Sequence, residues 1–189
     1  MSILKYSFED YAEMVRRFHG SEAPGVLIGG FMVALAVENM KNNILYDAIS
    51  ETRTCLPDAI QLLTPCTIGN GWLKIFNYGR YAVTLYDKEH NLHEGVRVFI
   101  DTQKMKDWPE ISAWFFKLKP RKDQKKEKII DEIRRAGFSI LSIEQVRIQP
   151  EVALKQNKGA IAVCPECMEA YPLADGDKCL SCQNSILYR

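Results

Sequence analysis

The groups in this chain best able to do chemistry are six cysteines and three histidines, and the cysteines fall into two patterns. Cys164 and Cys167 in CPEC, and Cys179 and Cys182 in CLSC, form two Cys-x2-Cys pairs separated by eleven residues. Each pair suits a tight turn that presents two thiolates to one ion, and four thiolates at about 2.3 Å close a tetrahedral site fitted to Zn2+. No position is left open for water, so the expected role is structural. So short a segment cannot build a core of its own, and the metal supplies much of its folding energy. Rubredoxin-like iron or a pair of disulfides fits the same spacing less well. The residues between the pairs, MEAYPLADGDK, are not conspicuously basic, so stapling or protein contact is expected of this module rather than nucleic-acid binding.

Cys55 and Cys66 lack any such partnership. They bracket LPDAIQLLTP, where Pro57 fits the first turn of a short helix and Pro65 stops it. Cys55 then sits at or just before a helix N-terminus, where the dipole favours a thiolate, and Cys66 precedes a glycine-containing turn. The competing reading is that both are buried small apolar side chains, since unpaired cysteine is among the most buried residue types. His90 and His93 in KEHNLHE are spaced for a metal but read as solvated residues of a strand connection. Residues 117–128, KLKPRKDQKKEK, hold seven basic and two acidic side chains and read as the solvated start of a helix. The chain contains no phosphate-binding glycine loop, nucleotide fingerprint or Ser-His-Asp order.

The elements that must position these groups follow from periodicity. Residues 7–18 place Phe8, Tyr11, Met14, Val15 and Phe18 at three-and-four spacing behind Ser7, an amphipathic helix with its N-cap. The run from Gly25 to about Met40 is apolar nearly all round, which implies burial in the core or at a subunit interface. Strands are expected at 45–54, 72–78, 81–87, 95–101 and 138–148, the second and third joined as a hairpin through YGRY, with helices at 108–118 and 120–137. Helices first and a strand cluster after them indicate an α+β fold: N-terminal helices packed on a mainly antiparallel sheet, plus a small zinc-binding module. The expected domains are residues 1–150, a linker at 151–159 and the module at 160–189.

At 189 residues the chain is long enough for one real core and an appendage. A formal net charge of +1 gives no reason to expect a nucleic-acid or membrane partner. The longest apolar stretch, 25–37, falls short of the roughly 20 residues needed to span a bilayer. No signal peptide is legible at the N-terminus, so a cytoplasmic location and reduced cysteines are expected.

Three stretches together carry a resemblance: HGSEAPG (19–25), CLPDAIQLLTPCTIGNG (55–71) and NYGRYAVTLYD (77–87). In order and spacing they resemble the E-subunit family of formylmethanofuran dehydrogenase. The resemblance implies an α+β core, usually a homodimer and sometimes followed by a treble-clef zinc finger, with dimerisation here expected through the Gly25 to Met40 region. It also implies that His19 lies close to Cys55 and Cys66. That Cys2His set would line a pocket for a small ligand or hold a second metal with an open position, with Asp58 and Gln61 orienting what binds. The chain departs from the family pattern His-Gly-His-x-Cys-Pro-Gly at Ser21 and Ala23, and Asp-Tyr-Gly-Lys stands here as Asn77-Tyr78-Gly79-Arg80. The implied function is that of an accessory or redox-type protein attached to an oxidoreductase of one-carbon metabolism. Its alternative is a non-catalytic assembly module with a degenerate core site, docking a partner protein through the finger.

Overall fold

A computed structural model describes residues 2–40, 45–87, 94–153 and 159–184. His90 and His93 lie outside the described residues. The chain divides into two compact units, residues 1–153 and 154–189.

The first unit opens with a minimal hairpin, β1 (Ser2–Ile3) and β2 (Tyr6–Ser7), that leads straight into α1 (Phe8–His19). Ser7 caps this helix by accepting from the Asp10 N–H, Glu9 and Asp10 occupy its positive end, and Gly20 ends it in the left-handed region at φ 81°. The next helix, α2 (Pro24–Glu38), is buried from Gly25 to Ala34. Within one copy of the chain it packs against α1, α3 (Leu56–Leu63), α5 (Lys126–Ala136) and the sheet. A side chain at Gly30 would put Cβ 2.3 Å from the Tyr11 ring, so the α1–α2 approach depends on that glycine.

Five strands form the sheet in the order β4-β3-β5-β6-β7: β3 (Tyr46–Ser50), β4 (Leu73–Ile75), β5 (Ala82–Asp87), β6 (Glu94–Ile100) and β7 (Leu141–Arg147). All neighbours are antiparallel except β3 and β4, which run parallel with Ala48 opposite Leu73. The expected hairpin between the second and third strands is therefore not formed. The short 76–81 connection passes the end of β3, whose buried Ala48, Ile49 and Ser50 take the interior position between β4 and β5. Period-2 alternation then sets the faces: Val83, Leu85, Val96 and Val98 meet α2, while Ile49, Tyr86, Ile148 and Ala153 form a smaller cluster behind.

Between β6 and β7 lie α4 (Pro109–Phe115) and α5. Glu132, buried on α5, accepts from the Glu110 and Ile111 N–H groups at 2.9 Å each and so caps α4 from outside. A helical turn, α6 (Pro150–Ala153), takes in the first three residues of the expected 151–159 linker. Lys74 holds it by donating to the Val152 and Ala153 carbonyls. Among the described residues no helix is long and apolar enough to cross a membrane.

The second unit is a hairpin of β8 (Ile161–Val163) and β9 (Ala170–Pro172) followed by α7 (Leu180–Asn184).

Candidate functional site

In the second unit, the turn after β8 carries Cys164 and Cys167, closed by Cys164 N–H to the Glu169 carbonyl at 2.8 Å and Met168 N–H to the Cys164 carbonyl at 3.0 Å. Cys179 and Cys182 sit at the start of α7, one turn apart. The four sulfurs lie within 4.8 Å of one another, with Cys167 and Cys179 3.7 Å apart. Four ligands at about 2.3 Å from a zinc ion at the centre of a tetrahedron stand about 3.8 Å from each other, so the spacing fits the metal. The electrostatics fit it too. Backbone N–H groups of Cys167, Cys179 and Glu166 aim at Cys164 and lower its pKa to about 6, whereas hydrogen bonding to Cys179 and burial push Cys182 up. Four thiols this close cannot all ionise until a cation sits among them, and Zn2+ supplies that charge.

In the core unit, the parallel pair β3 and β4 sends both carboxyl ends to one edge of the sheet. Loop 51–55 leaves β3 there and enters α3, and loop 76–81 leaves β4 there and enters β5. The C-terminus of α1 and the N-terminus of α2 reach the same edge. His19, the last residue of α1, meets Asp58 in the first turn of α3, Nδ1 to Oδ2, at 2.5 Å. A carboxylate only accepts, so Nδ1 carries a proton toward Asp58. Nε2 has no partner among the described residues, and His19 and Asp58 are 28% and 31% exposed. This is an oriented imidazole with one nitrogen open to a ligand.

Cys55 stands beside this pair in a sparsely populated backbone conformation, φ 58° and ψ −51°, as the N-cap of α3. The first turn of α2 presses against it: a Cβ at Gly25 would lie 2.9 Å from Cys55 Cβ, 3.0 Å from its Sγ and 2.8 Å from the Tyr81 hydroxyl. Tyr81 donates to the Gly25 carbonyl at 2.6 Å and Tyr11 to the Val26 carbonyl at 2.9 Å, so two phenols form the inner wall. Burial raises both, and for Tyr81 the neighbouring Cys55, Tyr11 and Asp58 raise it further. The thiolate expected at Cys55 is corrected here. Burial and then the Asp58 carboxylate raise its pKa, outweighing the dipole of an eight-residue helix.

The remaining expected site residues are placed elsewhere. Cys66 is fully buried and donates from Sγ to the Tyr46 carbonyl at 3.3 Å. It lies beyond the far end of α3, which at 1.5 Å per residue puts roughly 12 Å of helix between the two cysteines. Gln61 is spent on the following loop, its Oε1 accepting from the Ile68 N–H at 3.3 Å. Among the described residues, the four C-terminal cysteines are the one group of three or more potential ligands close enough to share an ion. His19, Cys55 and Cys66 do not form a second coordination set. Ser21 and Ala23 lie in the turn before α2, where the Ala23 N–H donates to the Ser21 carbonyl and Ala23 N-caps the helix without a side-chain bond. Tyr11 and Tyr81 had no distinguishing signal in sequence: each reads as an ordinary apolar-face aromatic.

The family model described as FmdE, Molybdenum formylmethanofuran dehydrogenase operon, matches residues 18–148. A second, the FmdE treble clef zinc finger, matches residues 155–189. Among solved structures, a tungsten formylmethanofuran dehydrogenase FmdE-like protein from Syntrophus aciditrophicus is 56% identical, with a TM-score of 0.91 over 100% of this chain and 98% of that one. A curated protein of Archaeoglobus fulgidus, a probable S-adenosyl-L-methionine-binding protein, is 29% identical over 90% of this chain. The chain spans about half the length of that relative, 51%.

Proposed function

The chain belongs to the FmdE family and ends in that family's treble-clef zinc finger, and from this premise we propose that its core domain is a small-ligand site built on His19, Asp58 and Cys55. The observation that carries the proposal is the 2.5 Å contact between His19 and Asp58, which fixes the ring and leaves Nε2 without a partner among the described residues, near a thiol whose pKa is raised. Such a nitrogen can accept a proton from a bound ligand or hold its donor group, while the buried tyrosines keep water from the inner side. The zinc finger is structural in this account, and Zn2+ supplies folding energy rather than reactivity. In the cell, the protein would serve as an accessory or redox-type component of one-carbon metabolism, working in the cytoplasm as a homodimer. The name of the Archaeoglobus relative makes S-adenosyl-L-methionine the first ligand to try.

The test is a titration of the zinc-loaded full chain with S-adenosyl-L-methionine, followed by the His19 ring resonances and by calorimetry. A saturable His19 shift that disappears in His19→Ala and survives in Cys66→Ser supports the proposal. Ligand binding that is indifferent to His19 and Cys55 contradicts it.

A second reading, a protein-protein assembly module, draws on the finger's surface. Ile161 and Val163 share one exposed face of β8, and Met168 is 73% exposed at the tip of the first cysteine turn. It predicts partner capture that depends on these three side chains and is indifferent to His19.

A further inference from the structure

We propose that Arg80 is an anion receptor for the core site, so that the ligand held at His19 and Cys55 carries a carboxylate or a phosphate. This rests on the reading of that corner as a ligand site and adds the ligand's chemical class. Arg80 is 62% exposed, yet it is fixed on two sides. Its Nε lies 2.6 Å from Glu51 Oε2, and its guanidinium stands 5.3 Å over the Tyr78 ring. Both supports are themselves braced. Tyr78 stacks on Phe76 with centroids 6.1 Å apart, and its N–H donates to the Glu51 carbonyl at 3.0 Å. Glu51 is buried and takes two further donors from Arg97, at 2.5 and 3.1 Å.

The consequence lies in what Arg80 has left over. Its two terminal nitrogens have no partner among the described residues, and together they match the two oxygens of a carboxylate or phosphate. Part of the rotamer freedom that an exposed arginine loses on binding is already removed by Glu51 and Tyr78, so an anion gains more from it than from a mobile lysine. The cations of 117–128 make the contrast. They are more numerous, but apart from Lys119, 3.7 Å from Glu110, none of them is tethered to a carboxylate among the described residues.

Position ties Arg80 to the corner already described. Loop 51–55, which ends at Cys55, and loop 76–81 lie side by side, joined by Tyr78 N–H to the Glu51 carbonyl and by Arg53 N–H to Asn77 Oδ1 at 3.4 Å. The residue after Arg80 is Tyr81, whose hydroxyl bonds the Gly25 carbonyl against Cys55. A ligand with its reactive end at His19 thus has a fixed guanidinium on the rim of the same edge.

The experiment uses the zinc-loaded full chain labelled on arginine and histidine side chains. Inorganic phosphate and acetate are titrated separately, with chloride at matched ionic strength, and the Arg80 Nε–H and the His19 ring are followed by NMR. The expected result is a saturable Arg80 response to one or both anions with a concurrent His19 shift; whichever anion saturates lower identifies the ligand's acidic group. Arg80→Gln should weaken this binding about tenfold, Arg80→Lys less, and Lys122→Gln, which removes the same charge elsewhere, not at all. No saturable Arg80 response, or equal effects of Arg80→Gln and Lys122→Gln, overturns the proposal. So does saturation at Arg80 with a silent His19, which would detach the receptor from the core site. If S-adenosyl-L-methionine moves His19 while Arg80 stays silent to every probe, the anion receptor falls and the ligand corner stands.

Discussion

The two cysteine-bearing regions of this protein handle sulfur in opposite ways. In the finger, backbone N–H groups converge on Cys164 and lower its pKa to about 6, and three more sulfurs crowd the same point. In the core, Cys55 and the Tyr81 hydroxyl both press against Gly25, and Cys55 feels the Asp58 carboxylate, while Cys66 is buried against a carbonyl. The first arrangement demands a cation. The second keeps a thiol protonated and gives the open donor position to a histidine. Cysteine content therefore says little about metal chemistry until the surrounding donors and charges are known.

The sharpest way to break the contrast is to remove the cation. Chelation, or Cys179→Ser with Cys182→Ser, should unfold residues 159–184, because structural zinc in such peptides is worth about 10–16 kcal/mol at neutral pH. Hydrogen exchange should then show lost protection in the β8–β9 hairpin and unchanged protection in β5 and β6. A next smaller effect is expected from Gly25→Ala, which forces a Cβ to within 3.0 Å of Cys55 and Tyr81. It should lower core stability by about 1–3 kcal/mol, as overpacking does, read as a shifted denaturation midpoint. His19→Ala should cost stability only ~0–1 kcal/mol, the scale of a partly exposed pair, while abolishing ligand binding at the corner.

The smallest effect is kinetic and concerns pH. A raised Cys55 pKa means less thiolate at a given pH, so alkylation of Cys55 near pH 8 should be slower than that of an unperturbed cysteine and should rise only as the pH climbs further. Asp58→Asn removes the charge that opposes ionisation and should speed alkylation a few-fold at the same pH. Unchanged rates would mean that Asp58 does not set the thiol's charge state.

Much of this was legible in the sequence where the cause is local. The zinc ligands follow from two short spacings, the Ser7 cap from its position before an amphipathic run, and the burial of α2 from a helix with no polar face. Partner choice in the sheet was not legible. The YGRY connection is short enough for a hairpin, and only the burial of β3 between β4 and β5 decides against it. The same limit applies at the site. Family likeness brought His19, Cys55 and Cys66 into one set, whereas a whole helix separates the two sulfurs. Glu51 carries no mark of its buried role, since its partners Arg80 and Arg97 are non-local.

The most direct test of this division is the zinc stoichiometry of the purified full chain and of its Cys179→Ser/Cys182→Ser variant, by elemental analysis. One zinc per chain, lost in the variant, is the predicted result and leaves the His19–Asp58 corner free for a ligand. Two per chain, with one retained in the variant, would place a metal in the core unit and contradict the account.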